Sequence, residues 1–304
     1  MDAALTIPRA SHSTCSGIHV SFEFFPPQTD EMEQLLWSSI KRLVPLHPSF
    51  VSVTYGAGGK TRERTHATVA RILRETTVKP AAHLTCVGAS RTEVDSVAKS
   101  YWDIGVRHIV ALRGDPMAGP GSLFEPHPDG YANSTALVAG LKKLADFEIT
   151  VSAYPEGHPE SPNVDRDIDI LKAKIDAGAS RAITQFFFEN DCFMRFLDKV
   201  RAKGIDIPIV PGIVPVLNFN QTAAFARRAG ASIPQWLADR FEGLDHDSVT
   251  RRLIAATVTA EQVFDLVDQG IHHFHFYTMN RADLVFAVCH LLGVRPRHAL
   301  VPSS

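Results

Sequence analysis

The sequence predicts an α/β fold, a single (β/α)8 TIM barrel with extra helices between its seventh and eighth strands. Short apolar runs rich in β-branched and aromatic residues recur along the chain, and segments with helical spacing separate them. The predicted strands are 19–25, 50–55, 81–86, 108–112, 149–154, 182–187, 207–213 and 272–278. Eight such units in about 250 residues suit a closed barrel better than an open sheet, which usually has fewer strands.

Apolar spacing and glycine positions support the helices of this prediction. One face of a helix is apolar at Leu36, Ile40 and Leu43, and the same pattern recurs at 69–73 and 168–175. Glycines that typically end a helix precede several strands, at Gly105, Gly178 and Gly270. The long segment 217–262 has room for the extra helices.

Composition restricts the class of protein. The 304 residues are 45% hydrophobic and carry a formal net charge of −2, which gives no basic surface for nucleic acid or an anionic membrane. No apolar run approaches the roughly 20 residues that a membrane helix needs. We therefore expect small-molecule substrates, no nucleic-acid or membrane partner, and a disordered lead (1–17), one catalytic domain (18–298) and a short tail (299–304).

The four cysteines contain no Cys-x-x-Cys pair, so the usual zinc and iron–sulfur spacings are absent from the sequence. Scattered thiols are typical of a reduced cytoplasmic protein. A His-x-His pair at His273 and His275 imitates a metal-binding motif, but no matching cluster of carboxylates or histidines accompanies it. We expect no metal site.

Glu23 is the first candidate catalytic residue. It stands among Phe22, Phe24 and Phe25, and Pro26 and Pro27 end the run. Apolar surroundings raise the pKa of a carboxyl group, and a carboxyl that holds its proton near neutral pH is suited to general acid catalysis. The alternative is a glutamate that points from an edge strand into water.

In a barrel, the active site lies at the carboxyl ends of the strands. Nearly every predicted strand ends on polar or otherwise special residues, which favours a functional Glu23. These end residues are Glu23, Thr54, Tyr55, Gly56, His83, Thr85, Arg113, Gly114, Asp115, Tyr154, Gln185, Pro211, Gly212, Tyr277 and Thr278.

Three segments remain open on pattern alone. The glycine-rich segment 55–65 is a ligand loop or an ordinary strand-to-helix turn. Arg113 and Asp115 pair with surface neighbours or hold a ligand at the rim. Asp167 and Lys174, seven residues apart, share one face of a helix, and this spacing favours a solvated face over a binding site.

Seven motifs in order resemble the methylenetetrahydrofolate reductase family in its bacterial single-domain form, over 20–296. They are Ser-Phe-Glu-Phe-Phe-Pro-Pro, Val-Thr-Tyr-Gly-Ala-Gly-Gly, Ala-Leu-Arg-Gly-Asp, Tyr-Pro-Glu-Gly-His-Pro, Ile-Thr-Gln-Phe-Phe-Phe, Pro-Gly-Ile-Val-Pro-Val and Phe-His-Phe-Tyr-Thr-Met-Asn-Arg. The resemblance implies a barrel with tightly bound FAD. It also implies ping-pong use of NADH or NADPH and of 5,10-methylenetetrahydrofolate, which yields 5-methyltetrahydrofolate for methionine biosynthesis.

By motif position, the resemblance makes Glu23 the general acid that protonates a folate nitrogen, and Asp115 the carboxylate that stabilises the cationic substrate. Gln185 would bind the pterin edge, Phe225 would stack on the substrate, and Gln221 and Arg281 would add contacts. The FAD set that the resemblance implies is Thr54, Tyr55, Ala57, His83, Arg113, Gly114, Asp115, Tyr131, Ala132, Tyr154, His158, Asp167 and Lys174.

One departure from the family lies on the helix of Asp167 and Lys174. Related proteins often carry Asn and Arg where this chain has Ile170 and Ala173, which predicts looser FAD binding. Rival interpretations are another flavin barrel, such as a proline dehydrogenase, and a folate- or flavin-binding barrel without catalysis. The sequence leaves open the choice between NADH and NADPH and the size of the expected homo-oligomer.

Overall fold

The computed structural model describes residues 17–55, 62–116 and 122–296. Nine parallel strands form its sheet. They are β1 (His19–Phe24), β2 (Val51–Val53), β3 (Pro80–Thr85), β4 (His108–Leu112), β5 (Glu148–Ala153), β6 (Arg181–Thr184), β7 (Ile209–Val210), β8 (Gly212–Ile213) and β9 (His273–Tyr277). The predicted lead and tail lie outside the described residues, apart from Gly17.

The nine strands occupy eight positions, because the predicted seventh strand is divided at Pro211. Proline has no backbone N–H to donate to a neighbouring strand. The hydrogen-bonded partner of the chain therefore changes at Pro211. β7 pairs with β6 through Ile183 and Val210, whereas β8 pairs with β9 through Gly212 and His275. The strand order β7-β6-β5-β4-β3-β2-β1-β9-β8 thus closes the ring at this division, and the (β/α)8 barrel is confirmed.

Helices follow the strands as the apolar spacing predicted. They are α1 (Asp30–Leu43), α2 (Arg62–Glu75), α3 (Arg91–Asp103), α4 (Ser134–Leu144), α5 (Val164–Asp176), α6 (Asn190–Ala202), α7 (Phe219–Ala229), α8 (Gln235–Phe241), α9 (Ser248–Asp268) and α10 (Ala282–Leu291). The three helices α7, α8 and α9 are the extra elements predicted between the last two strand positions. No helix in the described part of the chain is long and apolar enough to cross a membrane.

Local sequence explains where these helices begin and end. Ser90 caps α3 in a reciprocal capping box with Glu93, so both residues satisfy backbone N–H groups of the first turn. Gly105, Gly178 and Gly270 all have positive φ values, as predicted for residues that end a helix.

Strand alternation divides the core into two layers. Phe22 and Phe24 of β1 are fully buried in the large layer between sheet and helices. A smaller apolar cluster comprises Phe50, Ala81, Val110, Ile183 and Val210, from the positions of β2, β3, β4, β6 and β7. The Phe50 ring stacks on the His275 imidazole at 5.8 Å, so this cluster adjoins the polar interior of the barrel.

Candidate active site

Glu23 lies inside the barrel, two residues along β1 from Ser21 and beside Tyr277 in the register of β9. Its side chain is buried. The Oε2 atom lies 3.3 Å from Nε2 of His83 on β3 and 3.6 Å from Nε2 of His275 on β9. A carboxylate is therefore held between two imidazoles from two other strands.

The expected cause of a raised pKa at Glu23 is wrong. Phe22 and Phe24 point to the opposite face of the strand, where they pack against the helices, so they do not surround the carboxylate. Burial alone raises the pKa of Glu23, but the hydrogen bond with His275 and the charge of His83 outweigh burial and lower this pKa to about 2. In the protein without ligands, the carboxyl group is ionised at neutral pH.

His275 connects Glu23 to a third polar residue. Its Nδ1 lies 2.8 Å from Oγ of Ser21. The Ser21 hydroxyl also donates a hydrogen bond to the carbonyl oxygen of Phe274 at 3.4 Å. Burial lowers the pKa of His275, and Glu23 opposes this shift. At neutral pH a neutral imidazole thus adjoins an ionised carboxylate.

Sequence reasoning considered His275 only as a metal ligand and did not select Ser21. Strand alternation could have indicated both residues, because side chains two positions apart on a strand point to the same face. Ser21 is two residues from Glu23, and His275 is two residues from Tyr277. The described residues contain no group of three His, Cys, Asp or Glu side chains placed to hold a metal ion. His273, the other half of the pair, is exposed and stacks on His19 at 4.6 Å.

Residues of β6, β8 and β9 form the next part of the wall, beginning at Tyr277 beside Glu23. The hydroxyl of Tyr277 donates to the carbonyl of Thr184 at 2.8 Å. Gly212 permits this approach, because a Cβ there would lie 2.2 Å from that carbonyl oxygen. Gln185 follows Thr184, and Phe225 packs its ring 5.2 Å from Phe186, which places both predicted substrate contacts on this side.

The end of β4 supplies the next group of predicted residues. Arg113 forms a bidentate pair with Glu160, with N···O distances of 2.6 and 2.8 Å. Gly114 has a φ of +89°, and a Cβ there would lie 2.4 Å from Val87 Cγ1, so this position requires glycine. Asp115 is exposed at the rim.

The loop after β5 and helix α5 bring together four predicted FAD contacts. The Tyr154 ring meets the His158 ring edge-on at 4.8 Å, and the Asp167 carboxylate accepts from the His158 N–H at 2.8 Å. Lys174 donates to the Ser152 carbonyl at 3.1 Å. Burial lowers the pKa of Lys174 to about 8.

The spacing of Asp167 and Lys174 favoured a solvated helix face, and this prediction is wrong because both side chains are buried. Both residues lie on the buried face of α5, where the Asp167 carboxylate also accepts a hydrogen bond from the Ser161 hydroxyl. Buried ions of opposite charge in one cleft are more common in binding sites than on helix surfaces.

The remaining predicted FAD residues lie at the end of β2 and near α4. Tyr55 accepts a hydrogen bond from Arg62 at 2.6 Å. The Tyr131 hydroxyl donates to Asp95 at 2.6 Å, and its ring packs over Gly140 on α4, so its side chain lies between α3 and α4. Thr54 is half-buried and Ala132 is exposed, whereas Ala57 lies outside the described residues.

A groove of about 1490 Å³ opens beside the ends of β1, β8 and β9. Phe25 and Met279 line it next to the barrel, together with the predicted substrate contacts Gln221, Phe225 and Arg281. Phe225 is 41% exposed, which leaves its ring available to a ligand.

The fold and these residues define an enzyme of the TIM-barrel class, with acid–base groups at the carboxyl ends of its strands and a groove beside them. The family model for methylenetetrahydrofolate reductase matches residues 10–293. The chain belongs to the methylenetetrahydrofolate reductase family, whose members are oxidoreductases. The resemblance found in the seven motifs is therefore confirmed.

Relatives and a solved structure agree with this assignment. Two proteins named 5,10-methylenetetrahydrofolate reductase, from Salmonella typhimurium and Escherichia coli, are each 51% identical over 279 residues, which is 92% of this chain and 92% of theirs. An uncharacterized protein from Clostridium thermocellum, described as binding two copies of 5-methyl-5,6,7,8-tetrahydrofolic acid, superposes with a TM-score of 0.62. It is 16% identical and covers 91% of this chain and 94% of its own, so it shows likeness of fold alone.

Proposed function

We propose that this protein reduces 5,10-methylenetetrahydrofolate to 5-methyltetrahydrofolate with NADH or NADPH, through bound FAD and by ping-pong exchange. The observation that carries the proposal is the buried Glu23 carboxylate, 3.3 Å from His83 and 3.6 Å from His275, beside a groove lined by Phe225 and Arg281. Family membership supports the reaction. The residues support the roles given below, and cytoplasmic localisation and a homo-oligomer remain predictions.

The residues at the ends of β3, β4 and β5 fit a flavin dinucleotide. Nε2 of His83 is buried and lies 3.3 Å from Glu23 Oε2 without the geometry of a full hydrogen bond, so a ligand atom would complete its hydrogen bonding. Arg113 and Lys174 supply two cations suited to a diphosphate, and Asp167 supplies an acceptor suited to sugar hydroxyls. When bound, FAD supplies the hydride-transfer chemistry that amino-acid side chains lack.

The proposed cofactor contacts divide by chemistry. Arg113 and Lys174 bind the diphosphate, and Gly114 lets the backbone lie close to it because no side chain intervenes. The remaining contacts orient the ring system and the ribose, with Tyr131 acting through its main chain. They are Thr54, Tyr55, Ala57, His83, Asp115, Tyr131, Ala132, Tyr154, His158 and Asp167.

Glu23 delivers a proton to the folate nitrogen that leaves when the five-membered ring opens. The lowered pKa of His275 leaves its imidazole neutral and Glu23 is ionised before ligands bind, so Glu23 takes up the proton from solvent as the site fills. Ligands that cover the barrel mouth remove water from the carboxylate, and desolvation favours its neutral, proton-bearing form. General acid catalysis of this kind contributes typically 10²–10⁴-fold in rate.

The other site residues position and stabilise the substrate. Asp115 presents a negative charge that stabilises the cationic, ring-opened form. Gln185 offers a donor and an acceptor to the pterin edge, and its Oε1 now accepts from the Phe186 N–H at 3.1 Å. Phe225 stacks on the bound ring, while Gln221 and Arg281 bind the rest of the substrate.

Anaerobic half-reactions test the proposal. The purified protein should be yellow, NADH or NADPH should bleach its visible absorbance, and methylenetetrahydrofolate should restore it and yield 5-methyltetrahydrofolate. Bleaching without restoration by the folate would refute the folate assignment. Bleaching by proline would favour a proline dehydrogenase, and a colourless protein that takes up no flavin would refute the cofactor.

A further inference from the structure

The chain turns sharply just after β9, beside the end of β1. In the part of the chain that the structure describes, only three non-glycine residues have a positive φ, and two of them are consecutive, Met279 at +53° and Asn280 at +56°. Left-handed backbone is costly for residues other than glycine, although asparagine tolerates it better than most. Such strain persists only where the surroundings fix it, and it is concentrated at functional sites. The contacts that hold this turn therefore indicate what it positions.

The Asn280 side chain takes the place of a neighbouring strand where β1 ends. Its Oδ1 accepts from the Phe25 N–H at 2.8 Å, and its Nδ2 donates to the Phe25 carbonyl at 2.9 Å. Pro26 and Pro27 follow and have no N–H, so Phe25 offers the last main-chain donor of this segment. Asn280 is buried, and both ends of its amide bind one residue that lies 255 positions away in the chain.

Thr278 holds the main chain on the other side of Phe24. Its hydroxyl donates to the Glu23 carbonyl at 2.6 Å, and its N–H donates to the same oxygen at 3.3 Å. The Asn280 N–H in turn donates to the Thr278 hydroxyl oxygen at 3.1 Å, which directs the hydroxyl proton toward Glu23. Two connected residues thus fix the backbone at both Glu23 and Phe25.

We infer that Asn280 is a positioning residue for the proton donor: together with Thr278 it holds the end of β1 so that the Glu23 carboxylate meets the substrate in the required geometry. This role rests on the proposed function, because Glu23 is the acid of that reaction. Asn280 lies outside the set of residues proposed to touch either ligand, and it acts through the main chain of β1. A displacement of about 1 Å at a reacting group can cost roughly 10²-fold in rate, so the backbone that carries Glu23 needs rigid support.

The alternative is that this turn only anchors α10 to the barrel. Ser39 on α1 donates to the Asn280 carbonyl at 2.8 Å, and Arg281 occupies the N-cap position of α10, so the turn also has a structural role. That role uses the main chain of Asn280, which any residue provides, whereas the side chain alone reaches Phe25. Substitutions of the side chain therefore separate the two roles.

The test begins with Asn280→Gly, which removes the amide and relieves the left-handed strain, so the turn is kept and the contact with Phe25 is lost. We expect reoxidation of the reduced flavin by methylenetetrahydrofolate to slow about 10- to 10²-fold, while NADH or NADPH bleaches the flavin at the parent rate. His47→Gly is the matched control, because exposed His47 also has a positive φ, of 52°, in the turn before β2. Asn280→Asp should show the same selective loss, since it keeps the acceptor for the Phe25 N–H and loses the donor.

A double-mutant cycle with Glu23→Gln distinguishes positioning from a general loss of structure. If Asn280 acts through Glu23, then Glu23→Gln should cost about tenfold less in the Asn280→Gly background than in the parent enzyme. Asn280→Asp enters the same cycle if the glycine variant loses its fold. The infrared band of the Glu23 carboxylate, identified as the band that Glu23→Gln removes, is recorded in parallel. This band should shift in Asn280→Gly and stay unchanged in His47→Gly.

In an active parent enzyme, additive rate losses in the cycle would overturn the role of Asn280, as would equal slowing of both half-reactions or equal slowing in His47→Gly. A parent protein whose reduced flavin is not reoxidised by methylenetetrahydrofolate would refute the proposed function instead. The carboxylate band then decides the role of Asn280 by itself. A shifted band would support the positioning of Glu23, and an unchanged band would overturn it.

Discussion

Glu23 and His275 face each other inside the barrel, with Oε2 and Nε2 3.6 Å apart, although 252 positions separate them in the chain (275 − 23). Their strands are neighbours because β9 returns to pair with β1. The carboxylate therefore meets imidazoles, while the phenylalanines beside it in sequence face the helices. This relationship determines both the charge of Glu23 and its proposed role as a proton donor.

Replacement of Glu23 with Gln should separate the two half-reactions. We expect folate reduction to fall at least 10²-fold, because the proton donor is lost, while NADH oxidation by an artificial quinone acceptor continues. Stopped-flow absorbance of the bound flavin measures each step. Equal loss of both activities would show that Glu23 mainly supports the fold or the cofactor site.

Replacement of His275 with Asn should raise the pKa of Glu23. The lowered pKa of Glu23, about 2 against an ordinary value of 4.5, stabilises the fold at pH values above 4.5, and this stabilisation is lost as the pH falls toward 2. Without the hydrogen bond from His275, burial moves the pKa of Glu23 back toward or above 4.5, so the stability that Glu23 adds above pH 4.5 shrinks and the loss on acidification becomes smaller. Carboxyl infrared spectra and acid unfolding measure both quantities, and the exposed His273→Asn is the control.

An unchanged acid-unfolding profile in His275→Asn would contradict this account of Glu23. A profile that shifts equally in His273→Asn would show a general effect of removing an imidazole from β9.

Replacement of Lys174 with Met should stabilise the ligand-free protein and weaken FAD binding. Burial lowers the pKa of Lys174 to about 8, so the folded state binds fewer protons than the unfolded state between pH 8 and 10.5. Stability from this group therefore rises with pH across that window. Removing the buried charge should gain about 1–3 kcal/mol at pH 7. Denaturant unfolding with and without FAD checks both effects, and a less stable ligand-free variant would contradict the prediction.

Replacement of Glu160 with Gln should tighten FAD binding a few-fold. The bidentate pair with Glu160 occupies Arg113, and the proposed diphosphate must compete for that guanidinium. Fluorescence titration of the apoprotein measures the dissociation constant. Glu148→Gln is the matched control, because its carboxylate pairs with Arg181 at the other end of the barrel. Weaker binding in Glu160→Gln would show that the pair holds Arg113 in the orientation the cofactor needs.

The double variant Ile170→Asn/Ala173→Arg should slow the loss of FAD on dilution. Both positions lie on α5, the helix of Asp167 and Lys174, and neither native side chain offers a polar contact. The rate of flavin release after dilution measures the effect. Equal release from the native chain and the variant would remove the predicted cause of looser binding.

The sequence alone determined the repeating strand and helix units, the extra helices before the last strand and the polar strand ends. These features depend on local periodicity and on glycine and cap positions, which short segments carry within themselves. Glu23 was selected by the same means. Its expected surroundings were wrong, because adjacency in sequence does not give adjacency on a strand, where neighbouring side chains point to opposite faces.

Only the tertiary structure decided which groups meet across the barrel. His83 and His275 reach Glu23 from two other strands, Pro211 divides the strand that closes the ring, and α5 buries Asp167 and Lys174. Such contacts join residues far apart in the chain, so no local pattern contains them. The charge of a buried group depends on those partners, and that is why the sequence located Glu23 while the fold set its pKa.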